Sequence, residues 1–230
     1  GLRMKLGVLV AGPRALTSEL APQISARHQS MTLAEFSGQL DSAVWSLGVG
    51  RLQEGDSMLG TTQTGALNFA GKADTNVVNF GVALPLAPRV TFGAQYAVGY
   101  TGNVANQAAS LVPGYTDVRS TAYAASVSFA EAFRTGDRLS VTVSQPMRVV
   151  SGAMQMVLPV GADENGSPVM ASRSISLRPD GRETRADVLY MSPINRQAKW
   201  FLGVAVRNQP DHDRAASRET TVGAGIHAVF

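Results

Sequence analysis

Val90-Thr91-Phe92-Gly93-Ala94-Gln95-Tyr96-Ala97-Val98-Gly99-Tyr100 is the stretch whose reading decides the fold. In an extended chain, Val90, Phe92, Ala94, Tyr96, Val98 and Tyr100 share one face. Thr91, Gly93, Gln95, Ala97 and Gly99 share the other, because successive side chains of a strand point to opposite sides. The run before it alternates in the same way, with Val78, Phe80, Val82 and Leu84 opposing Asn79, Gly81 and Ala83. Between the two lies Pro85-Leu86-Ala87-Pro88-Arg89. Proline has no N–H to give a ladder, so this segment breaks the run and predicts an antiparallel hairpin.

Working outward, the same period recurs along the chain. Tyr123, Ala125, Val127 and Phe129 form an apolar face, and after a turn at Arg134–Asp137 so do Leu139, Val141 and Val143. Ala186, Val188 and Tyr190 alternate with Arg185, Asp187 and Leu189. Trp200, Leu202, Val204 and Val206 make the next face, and Val222, Ala224, Ile226, Ala228 and Phe230 the last. Leu2, Met4, Leu6, Val8 and Val10, then Ala43, Trp45, Leu47 and Val49, extend the pattern at the other end. Weaker runs fall near Gly65–Phe69, Met154–Leu158 and Ser172–Leu177. Together these predict roughly 12 strands of the length a tilted membrane strand needs. Arg178-Pro179-Asp180-Gly181-Arg182 reads as a further hairpin turn, Asp-Gly being a strong signal for one. Thr17–His28 is the best helix candidate, although Pro22 interrupts it. Thr101–Ser120 and Asn208–Thr220 read as long polar loops.

Composition narrows the class without choosing within it. Charged residues are 16% of the chain, against roughly 25% in ordinary soluble domains, and the 23 glycines exceed the usual share. This suits a sheet with one face in lipid and small residues inside, and it also suits a secreted β-sandwich. There is no cysteine, which removes disulfides and thiol chemistry. A net charge of +3, scattered along the chain, gives no nucleic-acid footprint. No apolar run is long enough for a transmembrane helix, which leaves a barrel untouched. Gly1-Leu2-Arg3-Met4-Lys5 does not open a signal peptide, so the chain is expected to be a piece of a longer exported protein.

The second face of several strands decides the expected architecture. It is mostly Gly, Ala and Ser, which suits a crowded lumen better than a solvated face. Membrane-facing residues are then expected at Val90, Phe92, Tyr96, Val98, Trp200, Leu202, Ile226 and Phe230, and lumen-facing ones at Arg148, Arg173, Arg185 and Asp187. An outer-membrane barrel commonly ends on an aromatic residue after alternating apolar ones, as Val222 to Phe230 does. Two features pull the other way. Aromatics are only 7%, so the interfacial girdles are thin. If Ser144–Gly152 made its own turn, Gly161–Ala171 would become a long loop at the end of the sheet meant for short turns.

Several segments resemble the C-terminal, autotransporter-type β-domain that follows the catalytic domain of subtilisin-like serine proteases in Gram-negative bacteria. They are Met58-Leu59-Gly60-Thr61 with Gly65-Ala66-Leu67, then Ser144-Gln145-Pro146-Met147-Arg148-Val149 with Ser151-Gly152. Leu158-Pro159 and Leu177-Arg178-Pro179-Asp180-Gly181-Arg182-Glu183 complete the set, in the family's order, across residues 43–230. The resemblance implies a translocator that sits in the outer membrane, at the cell surface, and passes or anchors the protease. It implies as partners outer-membrane lipid, the barrel-assembly machinery acting through the C-terminal strand, and a covalent or cleaved protease passenger. The protease module itself is missing: nothing here resembles its Gly-Thr-Ser nucleophile segment or its His and Asp segments.

Catalytic chemistry finds little to stand on. Asp211-His212-Asp213 offers metal-ligand types but reads as a solvated turn beside Pro210. His227 lies on the small-residue face of the last strand, and no strand-turn-helix nucleophile elbow supports a Ser-His-Asp triad. Gly48-Val49-Gly50 and Gly223-Ala224-Gly225 fall inside strands and open no phosphate-binding helix. Asp163-Glu164-Asn165-Gly166 reads as a turn.

The expectation is therefore an all-β, antiparallel, up-and-down barrel of outer-membrane type. Residues 1–42 would form an N-terminal strand and a lumen helix or linker, and 43–230 the barrel, as one structural unit. It would be non-catalytic, with no cofactor, metal or nucleic-acid partner. The alternative is a soluble, secreted β-rich accessory domain that assists folding or surface binding of the protease. A free-standing enzyme is the least favoured class.

Overall fold

The computed structural model describes residues 1–11, 29–57, 65–195 and 197–228, and among them every regular element except two short 3-10 turns is a strand. In chain order the strands are β1 (Arg3–Ala11), β2 (Gln29–Leu40), β3 (Ala43–Gly55), β4 (Lys72–Ala87), β5 (Val90–Thr101), β6 (Val104–Ala105) and β7 (Gly114–Tyr115). They continue as β8 (Val118–Ala130), β9 (Arg138–Ser151), β10 (Ala153–Ala162), β11 (Pro168–Ser176), β12 (Thr184–Pro193), β13 (Ala198–Asn208) and β14 (Glu219–Ala228). The expected helix over Thr17–His28 lies outside the described residues, as does Phe230.

Ten strands form one antiparallel sheet in the order β1-β2-β3-β4-β5-β8-β9-β12-β13-β14, an up-and-down meander in which each strand pairs with its neighbours. β1 and β2 belong to this sheet, and the boundary near residue 42 falls inside the tight β2–β3 hairpin, where Leu40 pairs with Ala43. The expected closure into a barrel is not made among the described residues, for β1 and β14 are the two edges of the sheet. β11, β10, β7 and β6 form a separate four-stranded sheet.

Connection lengths divide the two ends of the large sheet. Residues 41–42, 88–89, 131–137 and 194–197 join strands at one end, hereafter the turn end. The connections 56–71, 102–117, 152–183 and 209–218 all leave from the other, the loop end. This removes the conflict expected at 144–171. Ser144–Gly152 makes no turn of its own, because β9 runs through it to Ser151. Gly161–Ala171 is not a long loop but the tip of the β10–β11 hairpin, closed by Asp163, whose Oδ1 accepts from the backbone N–H of Asn165 (2.9 Å) and Ser167 (2.8 Å).

Two turn and strand expectations are corrected. Arg178–Arg182 is no hairpin turn: β11 and β12 lie in different sheets, and the segment crosses between them. The Gly65–Phe69 run is not a strand but opens with a 3-10 turn over Gly65–Leu67. Of its apolar residues Phe69 turns into a core rather than along a ladder, while Ala66 and Leu67 stay exposed. Phe69, Ala73, Val104, Val112, Tyr115 and Val118 form that core, with Val149, Met154, Met156 and Leu177 packed against it. Phe69 and Tyr115 meet edge to face at 5.4 Å. Thus the described core lies at the loop end, between the long connections and the four-stranded sheet. Thr101–Ser120, expected as a polar loop, supplies much of it.

Candidate functional site

Register places the alternating residues of all ten strands on two continuous surfaces. Met4, Phe36, Leu47, Phe80, Tyr96 and Tyr123 lie in one cross-strand row. A second row runs through Phe92, Val127, Val141, Val188, Val204 and Val222. Most of these large apolar side chains are exposed. Contiguous exposed apolar surface of this kind marks a face that meets a partner other than water. Val90, Phe92, Tyr96, Val98, Trp200, Leu202 and Ile226 all belong to this face by register, Trp200 directly opposite Ile226.

Aromatics thicken at the turn end of the same face: Trp45, Phe92, Phe129, Tyr190 and Trp200 all stand there. Tyr190 meets Trp200 at 5.2 Å and Phe133 at 5.6 Å, both edge to face. Its hydroxyl donates to Asp137 Oδ2 at 2.8 Å. Register therefore brings these five aromatics together at one end of this face.

The opposite surface is concave and lined by short or polar side chains. Glu35, Ser46, Asn79, Gln95, Ser144 and Gln145 bound an open concavity of about 440 Å3. Lys5 Nζ donates to Glu35 Oε1 at 3.1 Å between the adjacent strands β1 and β2, and Arg185 pairs with Asp187 at 2.7 Å on β12. Glycine permits this packing: the Asn79 amide lies where a side chain at Gly48 would be. His227 falls on this face as expected, opposite Lys199. Two of the residues expected beside Arg185 and Asp187 stand elsewhere. Arg173 is on β11, in the second sheet, because that segment continues the hairpin rather than the meander. Arg148 is drawn into the loop-end contacts.

Those contacts begin at Pro146. Lacking an N–H, it sits where β9 bulges, Tyr123 pairing with Gln145 and Thr121 with Arg148. The bulge frees the Met147 carbonyl and re-aims the buried Arg148. Arg148 Nε donates to the Gly181 carbonyl at 2.9 Å, and Nη2 to that of Pro179 at 2.8 Å. His212 Nε2 hydrogen-bonds the Met147 carbonyl at 3.0 Å while Nδ1 accepts from the Glu183 N–H at 2.9 Å, which fixes the proton on Nε2. The Asp211-His212-Asp213 triplet is a turn with Asp211 and Asp213 exposed, as expected, but His212 is buried as a clamp between chain segments. Among the described residues no group of three or more His, Asp or Glu is placed to hold a metal ion.

Arg207 completes this latch. It binds Glu183 (2.8 and 3.1 Å), Asp211 (2.9 Å) and Glu219 (2.8 Å). The guanidinium holds the buried Glu183 carboxyl below the usual carboxylate range, against the opposing effect of burial. Gly181 is required because a Cβ there would lie 2.5 Å from the His212 carbonyl oxygen. Two segments that carried the family resemblance, 144–149 and 177–183, therefore meet in space through Arg148. Met58–Thr61 lies outside the described residues.

No helix among the described residues is long and apolar enough to cross a membrane, which says nothing of crossing with strands. Comparison with family models, with curated proteins and with solved structures finds no match to this chain.

Proposed function

We propose that this chain is a non-catalytic outer-membrane β-domain, the translocator or anchor of an exported subtilisin-like protease. The observation that carries the reading is the two-faced ten-stranded meander, apolar and exposed on one side, polar and small-residue on the other, with short turns at one end and long connections at the other. Transmembrane barrels combine these features, because lipid accepts only apolar side chains and no unpaired backbone.

The register supports closure as well. Following hydrogen-bonded partners from Arg3 leads through Ser37, Ser46, Gly81, Gln95, Ala124, Ser144, Arg185 and Arg207 to Glu219. The row starts at the turn end of β1 and finishes at the loop end of β14. A cumulative climb of this kind is what tilted strands need to close on themselves. In this reading β14 is the strand offered to the assembly machinery, the apolar face meets lipid, and the concave face lines the passage for a protease passenger.

The second reading, a soluble accessory domain of the protease, draws on the buried loop-end core and the open edges of the sheet. Expression of the chain behind a signal peptide in a Gram-negative host separates the two. Recovery in the outer-membrane fraction with heat-modifiable gel migration is expected. A folded monomer in buffer without detergent would sink the barrel and leave the accessory domain.

A further inference from the structure

The four turns at the turn end are built in four different ways. Leu40 precedes the two-residue β2–β3 turn, where Asp41 takes a φ of 51° and Gln39 Nε2 donates to the Asp41 carbonyl. Leu86 is the extra residue of a bulge between Pro85 and Ala87, a device that re-aims a side chain. Phe133 stands on a clamp in which Asp137 accepts from the N–H groups of Phe133 and Arg134 and from the Tyr190 hydroxyl. Ile194 opens a turn capped by the Asn195 side chain, which accepts from the N–H of Gln197 and of Ala198.

The four designs share one outcome. Each turn holds one large apolar side chain outward, Leu40 70%, Leu86 64%, Phe133 75% and Ile194 54% exposed. They continue the apolar face past Trp45, Tyr190 and Trp200, so the surface does not end where the strands do. Arginines lie in the same turns: Arg89, whose guanidinium pairs with Glu131 at 2.7 Å, and the exposed Arg134 beside Phe133. Apolar tips with arginines in the same turns match the boundary of a phospholipid leaflet, where acyl chains meet phosphate headgroups.

We infer that the turn end is a lipid-docking rim, with Leu40, Leu86, Phe133 and Ile194 seated at the headgroup–acyl boundary of one leaflet, setting the depth and direction of the domain. This rests on the outer-membrane reading above.

Leu86→Trp and Phe133→Trp, each in a Trp45→Phe, Trp200→Phe background, test it after refolding into phosphatidylethanolamine–phosphatidylglycerol vesicles. Spin labels at a shallow or a deep acyl position report depth, and aqueous iodide reports exposure. Quenching by the shallow label about twice that by the deep one is expected, with little from iodide, for a group ~5–10 Å into the interface. The unsubstituted protein, followed through Trp45 and Trp200, shows separately whether the domain inserts. Insertion with tips quenched by iodide alone overturns the rim and leaves the membrane reading standing. Tips shielded from iodide and both labels in a dimeric particle overturn it in favour of a second copy. Trp45 and Trp200 unquenched by lipid labels would overturn both readings together.

Discussion

Asn106 ties the loop end together with one side chain. Its Oδ1 accepts from the N–H of Ala70 and Ala108, and its Nδ2 donates to the carbonyls of Asn68 and Val112. Asn106→Ala leaves these groups unpaired beside the core, a cost of about 2–3 kcal/mol in local stability. Hydrogen exchange at residues 65–71 and 106–113 should speed up accordingly, with strand amides at the turn end unaffected. Glu183 makes a pH prediction. Its folded-state pKa is depressed by Arg207, so its contribution is present above the ordinary carboxylate range and lost as pH falls through the depressed value. Protease cleavage within residues 209–218, followed from about pH 6 to about pH 3, should therefore rise only at the acid end. Arg207→Gln should move that rise to higher pH. Cleavage independent of pH in both proteins would remove Glu183 from the latch.

Strands with one strongly apolar face were legible in the sequence, and β5, β8, β13 and β14 fall where alternation puts them. β2 was not, because Met31 and Leu33 lie on one face while Ala34 and Phe36 lie on the other, which blurs the period of two. β6 and β7 are two residues each, too short for any period. The latch was illegible for a different reason. Arg148 and His212 join residues 147–148, 179–183 and 212 through backbone carbonyls and an N–H, which every sequence possesses, and the Arg207 ion pairs join residues far apart in the chain. The two-faced assignment itself is tested within β5. Val98 lies on the apolar face opposite Val78, and Ala97 on the concave face opposite Asn79. Val98→Arg should cost about 2–4 kcal/mol if it faces the middle of the bilayer and should block membrane assembly. Ala97→Arg should be tolerated, as read by heat-modifiable migration; equal loss in the two variants would refute the assignment.

Closure is the property of the whole molecule on which the membrane reading depends, and the register makes it specific. Barrel strands tilt by about 35–45°, which for ten strands at ordinary spacings requires a stagger of about ten to fourteen residues around the ring. Applied to the row from Arg3 to Glu219, this places Ile226 opposite Leu6, Val8 or Val10. Each is an apolar residue on the same face as Met4, so the seam would keep that face continuous. The chain contains no cysteine, so paired substitutions report without background. Ile226→Cys combined in turn with Leu6→Cys, Val8→Cys and Val10→Cys should give one pair that oxidises to an intramolecular disulfide in the membrane. The controls Gly7→Cys and Leu9→Cys, which point to the concave face, should not cross-link with Ile226→Cys. A disulfide in none of the three would mean that β1 and β14 do not meet and that each edge either stays open or takes another strand. Since an open edge cannot rest in lipid, that result in a membrane-recovered protein would require closing strands from a second copy or from another chain.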